Sequence, residues 1–433
     1  MVQVPPDVDV PPAVLAVFQE PTFRVIELLS LDREAEPCPD LSEVLVCVEL
    51  PHAGFNSTGS RGALHQGRHQ VQAFCVIRLC FHIVRLVVNY LDPPACTRTR
   101  PLDFFPDLRL RAMLAEANLQ GASLALLHAS HCELDKGVIR ADLWTLQHGW
   151  SSEVIHLPDV VIITGDPVNT HQQAVDAWVR SCRPVIANLE MDKISMCRLL
   201  DGTSCEKYVI PWSSVPGADT RGFLSDFLRR QSGAVVKRAT GNRGVGLFFV
   251  LPGDNDWQLI CDSQNVKAPV DELAALIDKR ISGRLRYREY IAQRYISSRT
   301  SDGRPFDIRV HVQRRADGDW GVTRAYVRLA EAGSPLPNVS RGGYQGALES
   351  FLEHRNPQKA EAIEAELRRA AIDIARIQSA SAPMPLSELG LDFVIDEEDR
   401  VWLIETNAFP ETSLHEHARA VNTIGYAPSL FRG

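Results

Sequence analysis

The stretch that most limits what this chain can become is Leu391-Asp392-Phe393-Val394-Ile395 followed by Val401-Trp402-Leu403-Ile404-Glu405-Thr406-Asn407. Its two apolar segments flank the polar run Asp396-Glu397-Glu398-Asp399-Arg400, a pattern that predicts a hairpin. Side chains alternate along a strand, so Glu405 and Asn407 leave one face while Trp402, Ile404 and Thr406 leave the other. A turn of this length brings Asp392 within about one residue of Glu405 across the pair. Two carboxylates and a carboxamide, all hard oxygen donors, then meet on one face. Such a set suits Mg²⁺ when waters and substrate phosphates complete its octahedron. An ordinary solvent-facing polar strip is the competing reading.

With 433 residues the chain has room for about two to four domains. A net charge of -8 argues against a surface that coats nucleic acid. Ten cysteines without C-x-x-C or zinc-ligand spacing fit free thiols in a reducing cytosol better than a disulfide framework. The first twelve residues lack a basic stretch followed by an apolar core, so no signal peptide is expected. Phe74 to Tyr90 is the most hydrophobic run, yet Arg78, His82 and Arg85 interrupt it, and a bilayer span needs roughly 20 mostly uncharged residues. Those three with Asn89 recur at helical spacing. The run is therefore expected to be a helix with one polar stripe, placed at a domain or subunit contact, which leaves a homo-oligomer open.

Residues 1 to 100 carry no recognisable chemistry. Pro5, Pro6, Pro11 and Pro12 suggest an irregular start, Val44 to Val48 a strand, and Gly54 to Gly67 a loop whose nearby His52, His65 and His69 lack ligand spacing. From 101 to 190, strands at Ala122 to Leu127, Val160 to Ile163 and Pro184 to Ile186 alternate with helices at Leu108 to Ala117 and Gln172 to Arg180. That alternation predicts a small α/β domain with a largely parallel sheet.

Further on, Asp192-Lys193 opens a helix, and Ala234 to Lys237 is a strand leading into the loop Thr240-Gly241-Asn242-Arg243-Gly244-Val245-Gly246. The loop matches neither G-x-G-x-x-G nor G-x-x-x-x-G-K-[ST]. Gly241, Gly244 and Gly246 instead permit a hairpin tip whose N-H groups face an anion, with Lys237 at its base, although a plain β-turn with a surface lysine fits equally. Tyr290 to Ile296 is strand-like. Phe306 to Gln313 and Trp320 to Leu329 form a hairpin in which Asp307, Arg309, His311 and Gln313 share one face, as do Arg324, Tyr326 and Arg328. Such a cationic face is either solvated or lines an anion site. Asn338 to Gly343 is a polar loop, and Pro357 to Ser379 an amphipathic helix with Ile363, Leu367, Ala370, Ile374 and Ile377 on its apolar stripe.

Taken in order, these pieces resemble the ATP-grasp superfamily, and within it the YheC/YheD-like group associated with spore coats. The resemblance rests on Asp192-Lys193, Val236-Lys237 with Gly241 to Gly246, Ile291 to Ile296, Arg304 to Val310, Asn338 to Gly343, and Glu388 to Asp392 with Glu405-Thr406-Asn407. It covers roughly residues 101 to 420 and implies an α+β ATP-grasp fold after a small α/β pre-grasp domain. The implied division is 1–100 of unknown role, 101–190 pre-grasp, 191–290 the lid and nucleotide subdomain, and 291–433 the catalytic subdomain.

The resemblance further implies ATP between two α+β subdomains, with Lys193 and Lys237 near its phosphates and the glycine hairpin as a lid. Gln293, Arg294, Tyr295 and Ile296 would lie at the nucleotide, with backbone at Arg294 and Ile296 meeting the adenine edge. Asp392, Glu405 and Asn407 would bind Mg²⁺, usually two ions, with Mn²⁺ a possible replacement. Arg309 and Arg328 would hold the transferred phosphoryl group or an acyl phosphate. Arg238 stands where the family often has proline, and Thr406 and Ala408 flank the asparagine where other residues are common.

The activity this implies is ATP-dependent joining of a small-molecule or peptide carboxylate to an amine, in the cytoplasm, without nucleic-acid or membrane partners. A phosphotransferase that leaves the γ-phosphate on its acceptor, and a nucleotide-binding structural protein, are the alternatives.

Overall fold

The computed structural model describes residues 24–29, 41–49, 74–82 and 85–89 as backbone. It also describes residues 108–430 except 146–148, 164–166, 168, 242–245, 254, 262–263 and 331–343. The proline-rich start, the loop from Gly54 to Gly67 with His52, His65 and His69, Gly244, and the Asn338 to Gly343 loop lie outside the described residues. The chain divides into two compact units, Met1–Ile186 with Ile424–Gly433, and Ala187–Thr423.

In the first unit β1 (Arg24–Leu29), β2 (Leu41–Glu49) and β3 (Phe74–His82) form an antiparallel sheet in that order. A six-stranded sheet follows, built from β4 (Arg85–Asn89), β5 (Ser123–Glu133), β6 (Val138–Thr145), β7 (Gly149–Ile155), β8 (Val160–Ile163) and β9 (Val185–Ile186). Its order is β7-β6-β5-β4-β8-β9, and β5, β4, β8 and β9 run parallel. All four residues of β8 are buried, as an uninterrupted Val-Val-Ile-Ile run in a covered parallel sheet requires. The helices α1 (Leu108–Leu119) and α2 (Thr170–Cys182) supply the crossovers. Asn169 caps α2 by accepting the Gln172 N-H at 2.9 Å.

One expectation is corrected. Phe74 to Tyr90 is two strands and not a helix. The four-residue interval between Arg78 and His82 fits a period of two as well as one of 3.6, and Val76, Ile77, Val87 and Val88 favour a strand. The sheet is largely parallel, as its alternating strands and helices predict, with β6 and β7 joined antiparallel at one edge, and it takes in β4 from before residue 101.

The second unit holds two sheets. Helix α3 (Lys193–Leu200) precedes a sheet of β10 (Trp212–Ser214), β11 (Ala234–Arg238), β12 (Phe248–Pro252), β13 (Trp257–Cys261), β14 (Gln264–Ala268) and β15 (Tyr290–Arg294). This sheet is antiparallel throughout, in the order β10-β15-β11-β12-β13-β14. Leu224 and Leu228 of α4 (Thr220–Gln231), with Leu273 and Ile277 of α5 (Val270–Ile281), join Val236 and Val250 in its core.

The other sheet has the order β18-β17-β16-β19-β20, formed by β16 (Phe306–Arg314), β17 (Trp320–Leu329), β18 (Tyr344–Ala347), β19 (Glu388–Ile395) and β20 (Val401–Asn407). The short α6 (Leu348–Arg355) and the long α7 (Ala360–Ser381) follow β18. Ile363, Leu367, Ala370 and Ile374 of α7 are buried with Ile308, Val310 and Val312 of β16, so the apolar stripe of the helix meets the apolar parity of the strand. Asp307, Arg309, His311 and Gln313 necessarily leave the opposite face, and all four are buried there too. This strand decides the site, because its polar face is lined and not solvated. Helix α8 (Glu416–Tyr426) begins in this unit.

The hairpin of β19 and β20 turns where its polar run predicts. Asp396 Oδ1 accepts the N-H groups of Glu398 and Arg400, its Oδ2 accepts Trp402 Nε1-H at 2.7 Å, and Asp399 takes a left-handed φ of 65°.

A carboxylate and cation site on one sheet face

Three cross-strand pairs build the site. Asp392 of β19 faces Glu405 of β20 and Arg309 of β16, while Asp307 of β16 faces Arg328 of β17. A bulge just beyond Asp392 breaks the register on the far side of the Glu405 pair. Neighbouring strands lie about 4.8 Å apart, so residues in register can touch through their side chains.

Arg309 donates from Nε and Nη2 to the two oxygens of Asp392, the second at 2.9 Å. Arg328 does the same to Asp307, with Nη2 at 2.7 Å from Oδ2, and also lies 3.0 Å from Asp392 Oδ2. Bidentate pairing suits the planar guanidinium fork and fixes both side chains.

Burial raises the Asp392 carboxyl, but Arg309 and Arg328 outweigh it and hold the group at about 2. Asp307 goes the other way, to about 6. Burial raises it and the Asp392 charge adds to that, against the pull of Arg328. Two carboxylates around two guanidinium groups thus leave a face that is charged and dry.

Lys193 is set by the start of α3, where the Asp192 carboxylate accepts the N-H groups of Ile194 and Ser195 at 2.9 Å each. From there its ammonium reaches Glu405 Oε2 at 3.0 Å and donates to the Gly241 carbonyl at 3.1 Å. Gly241 and Gly246 have φ of +134° and +72°, values that side chains with a Cβ seldom adopt, so the loop needs glycine at both. Lys237 on β11 is buried, and burial lowers its ammonium to about 8, with Glu405 pulling it up and Lys193 pushing it down.

Asn407 is opposite Gly390 and its Nδ2 lies 3.5 Å from Asp392 Oδ2, which leaves Oδ1 as a further oxygen donor. Among the described residues no three His, Cys, Asp or Glu side chains are arranged to hold a metal ion by themselves. The donors are two carboxylates and one amide, too sparse for a dedicated cage but suited to a hard cation whose remaining ligands come from phosphate and water.

Gln293 and Arg294 end β15, and Tyr295 and Ile296 follow it. The buried Gln293 amide approaches Cys197 Sγ at 3.9 Å, next to a thiol that burial raises to about 11. Arg294 stacks its guanidinium over Trp402 at 4.8 Å, and Ile296 packs with Ile210, Val394, Trp402 and Ile404. The N-H groups of Arg294 and Tyr295 already donate to the Pro211 and Gly233 carbonyls, at 2.8 and 3.2 Å.

Beyond the expected residues the face continues into a buried polar network. Glu388 is clamped by Arg419, which donates to both its oxygens at 2.7 and 2.6 Å, and His311 contacts His415 at 2.9 Å. Gln313 donates to Thr423 and to the Arg419 carbonyl. The strand parity of β16 signals His311 and Gln313, but nothing in the local sequence of His415 or Arg419 points to them.

A pair of sheets, one bearing Lys237 and the glycine loop and the other an Asp/Arg/Glu/Asn face, with Lys193 at a helix start reaching both the loop and Glu405, defines an ATP-grasp protein. The model of the YheC/D like ATP-grasp family matches residues 183–426, more than half of the chain. The chain belongs to that family. It is similar to the endospore coat-associated protein YheD of Bacillus subtilis (strain 168), 26% identical over 129 residues, which are 30% of this chain and 28% of that protein. It is also similar to YheC of the same organism, 23% identical over 194 residues, 43% of this chain and 51% of that one. The chain thus spans about half the length of one curated relative and less of the other. Solved structures similar to it include the D-alanine-D-alanine ligase from Coxiella burnetii, 13% identical with a TM-score of 0.45 over 80% of this chain and 93% of that one. The ATP-grasp ligase PsnB, in complex with a minimal precursor, is 14% identical with a TM-score of 0.45 over 81% and 99%.

Proposed function

We propose that the chain is an ATP- and Mg²⁺-dependent ligase that activates a carboxylate as an acyl phosphate and joins it to an amine, releasing ADP and phosphate. The observation that carries this reading is the cross-strand set of Asp307, Arg309, Arg328 and Asp392, one buried and one half-buried cation beside the oxygen donors Glu405 and Asn407. Phosphoryl transfer asks little covalent work of a protein and a great deal of positioning and charge stabilisation, which this face can supply.

In this reading Lys237, a buried ammonium with no hydrogen bond among the described residues, and Lys193 take phosphate oxygens. Gly241 and Gly246 give the close backbone approach of a phosphate-covering loop. Asp392, Glu405 and Asn407 would hold Mg²⁺, which when bound neutralises charge on the phosphates. Arg309 and Arg328 stabilise the phosphoryl group in transfer and then the oxyanion formed when the amine adds to the acyl carbon. Gln293 to Ile296 border the base, with the Arg294 N-H taken up by Pro211.

We further propose small-molecule or peptide substrates and a reducing aqueous setting, on the free thiols of Cys132, Cys182, Cys197, Cys205 and Cys261. No described helix is long and apolar enough to cross a membrane. The coat association in the relatives' names is compatible with amide-bond formation that serves a coat. Screening amino acids and short peptides for stimulated ADP release, with mass spectrometry of the products, tests the reading. An amide product with free phosphate supports it, and a phosphorylated acceptor replaces it with a phosphotransferase.

A further inference from the structure

The polar face of β16 carries one titratable group that the ligase chemistry above leaves unused, His311, and its surroundings fix its proton. Glu388, 4% exposed, is held ionised by the two-pronged Arg419, which outweighs the effect of burial. His311 Nε2 approaches Glu388 Oε2 at 3.3 Å, close enough for the carboxylate charge to orient the ring although the contact is not a well-aligned hydrogen bond. A ring lone pair aimed at that carboxylate would be repelled, so Nε2 bears the hydrogen and Nδ1 is left as an acceptor. His311 Nδ1 lies 2.9 Å from His415 Nε2, which must then be the donor. The lone pair of His415 therefore falls on its Nδ1. That nitrogen has no partner among the described residues and is not among the side-chain nitrogens closed off from solvent.

The His415 ring is placed beside the reacting face. It packs edge-on against Tyr326 at 6.1 Å between centroids, and Tyr326 is the register partner of Arg309. The phenol of Tyr326 feels the charges of Arg309, Arg328, Asp392 and Asp307. Burial, then His311, Arg324 and Arg419, lower the His415 imidazole to about 3 against the opposing pull of Glu388. Near neutral pH the ring stays uncharged and remains an acceptor.

We propose that His415 Nδ1 accepts a hydrogen bond from the N-H of the incoming amine and holds it for attack on the acyl carbon, with His311 and Glu388 as positioning residues that fix the tautomer. This rests on the ligase reading and deepens it. In the step itself the N-C bond forms, the C-O bond to phosphate breaks with its electron pair leaving on phosphate, and the proton shed by nitrogen goes to that departing phosphate, which leaves as hydrogen phosphate.

The test uses the full chain and the acid and amine pair that the ADP-release screen identifies. His415→Phe keeps the ring bulk and removes the acceptor. Its kcat/KM for the amine should fall about tenfold, as loss of one well-placed hydrogen bond gives, through KM, with KM for ATP and for the acid little changed. Glu388→Gln, which frees the tautomer, should move the same constant, and His415→Gln should restore part of it. Equal changes in all three KM values, or no change, overturn the proposal while leaving the ligase reading intact. If no acid and amine pair stimulates turnover, both fall. Long-range nitrogen-proton NMR of the wild-type rings gives a readout independent of any variant's folding. Neutral Nε2-H forms of both histidines between about pH 6 and 8 support the relay, and an Nδ1-H form of His415 overturns it.

Discussion

Arg309 shows what a single side chain does here. It ties β16 to β19 through both oxygens of Asp392 and is itself 7% exposed, so exchanging its charge for bulk removes the bidentate partner of Asp392 and leaves that buried carboxylate with Arg328 as its one remaining guanidinium. Arg309→Met should therefore destabilise the fold by about 3–5 kcal/mol, measured by denaturant unfolding. Arg309→Lys keeps the charge but loses the planar fork, and should fold while losing about 100-fold in ATP turnover. Glu405 is the contrasting case. Its side chain is 24% exposed and bound by Lys193 alone among the described ion pairs. Glu405→Ala should abolish ATP turnover with an unchanged circular dichroism spectrum, and retained turnover would remove it from the site.

At the scale of elements, two features are worth separating. Gly390 on β19 is needed for space and not for a special φ. A Cβ there would come within 2.7 Å of Pro410 and 3.1 Å of Arg309 Nη1. Gly390→Ala should cost about 1–3 kcal/mol in stability and lower turnover by shifting Arg309, both readable on one purified variant.

The second feature is the network joining β16, β19 and the segment before α8. His311 and His415 have folded pKa values below the ordinary 6.5. Their contribution to stability is present above about pH 6.5 and is lost as pH falls toward the folded values. Glu388 and Asp392 are also lowered, so their contribution is present above about pH 4 and lost on further acidification. Asp307, raised to about 6, works the other way between about pH 6 and 4. The unfolding temperature should thus fall on balance from pH 7 toward 3, most steeply below about pH 4, and His415→Phe should flatten the upper part of that curve.

The same elements show what could be read from the sequence. Alternation in β16 and β17 and the Asp392 to Asn407 hairpin were legible because a period of two fixes which side chains share a face. Whether that face was wet or dry was not, since it depends on β19, more than seventy residues away, and on His415 and Arg419. Arg78 and His82 misled because a spacing of four serves two periodicities. The β6 and β7 hairpin was missed for want of a glycine-centred two-residue turn.

At the scale of the molecule, the unit Ala187–Thr423 carries every proposed site residue within the described part, and the first unit carries none. ATP with Mg²⁺ should raise the unfolding temperature of the full chain, by an amount that corresponds to about 2.7 kcal/mol at a hundredfold excess over Kd, and a chelator should remove most of that gain. An equal shift with chelator present would detach nucleotide binding from the Asp392, Glu405 and Asn407 set.

In the proposed reaction a carboxylate oxygen attacks phosphorus and later departs with it. Supplying the acid with ¹⁸O in its carboxylate and analysing the released phosphate tests this directly. Each phosphate should carry one ¹⁸O atom and be formed together with one amide. Unlabelled phosphate, or phosphate that stays on the acceptor, would contradict it.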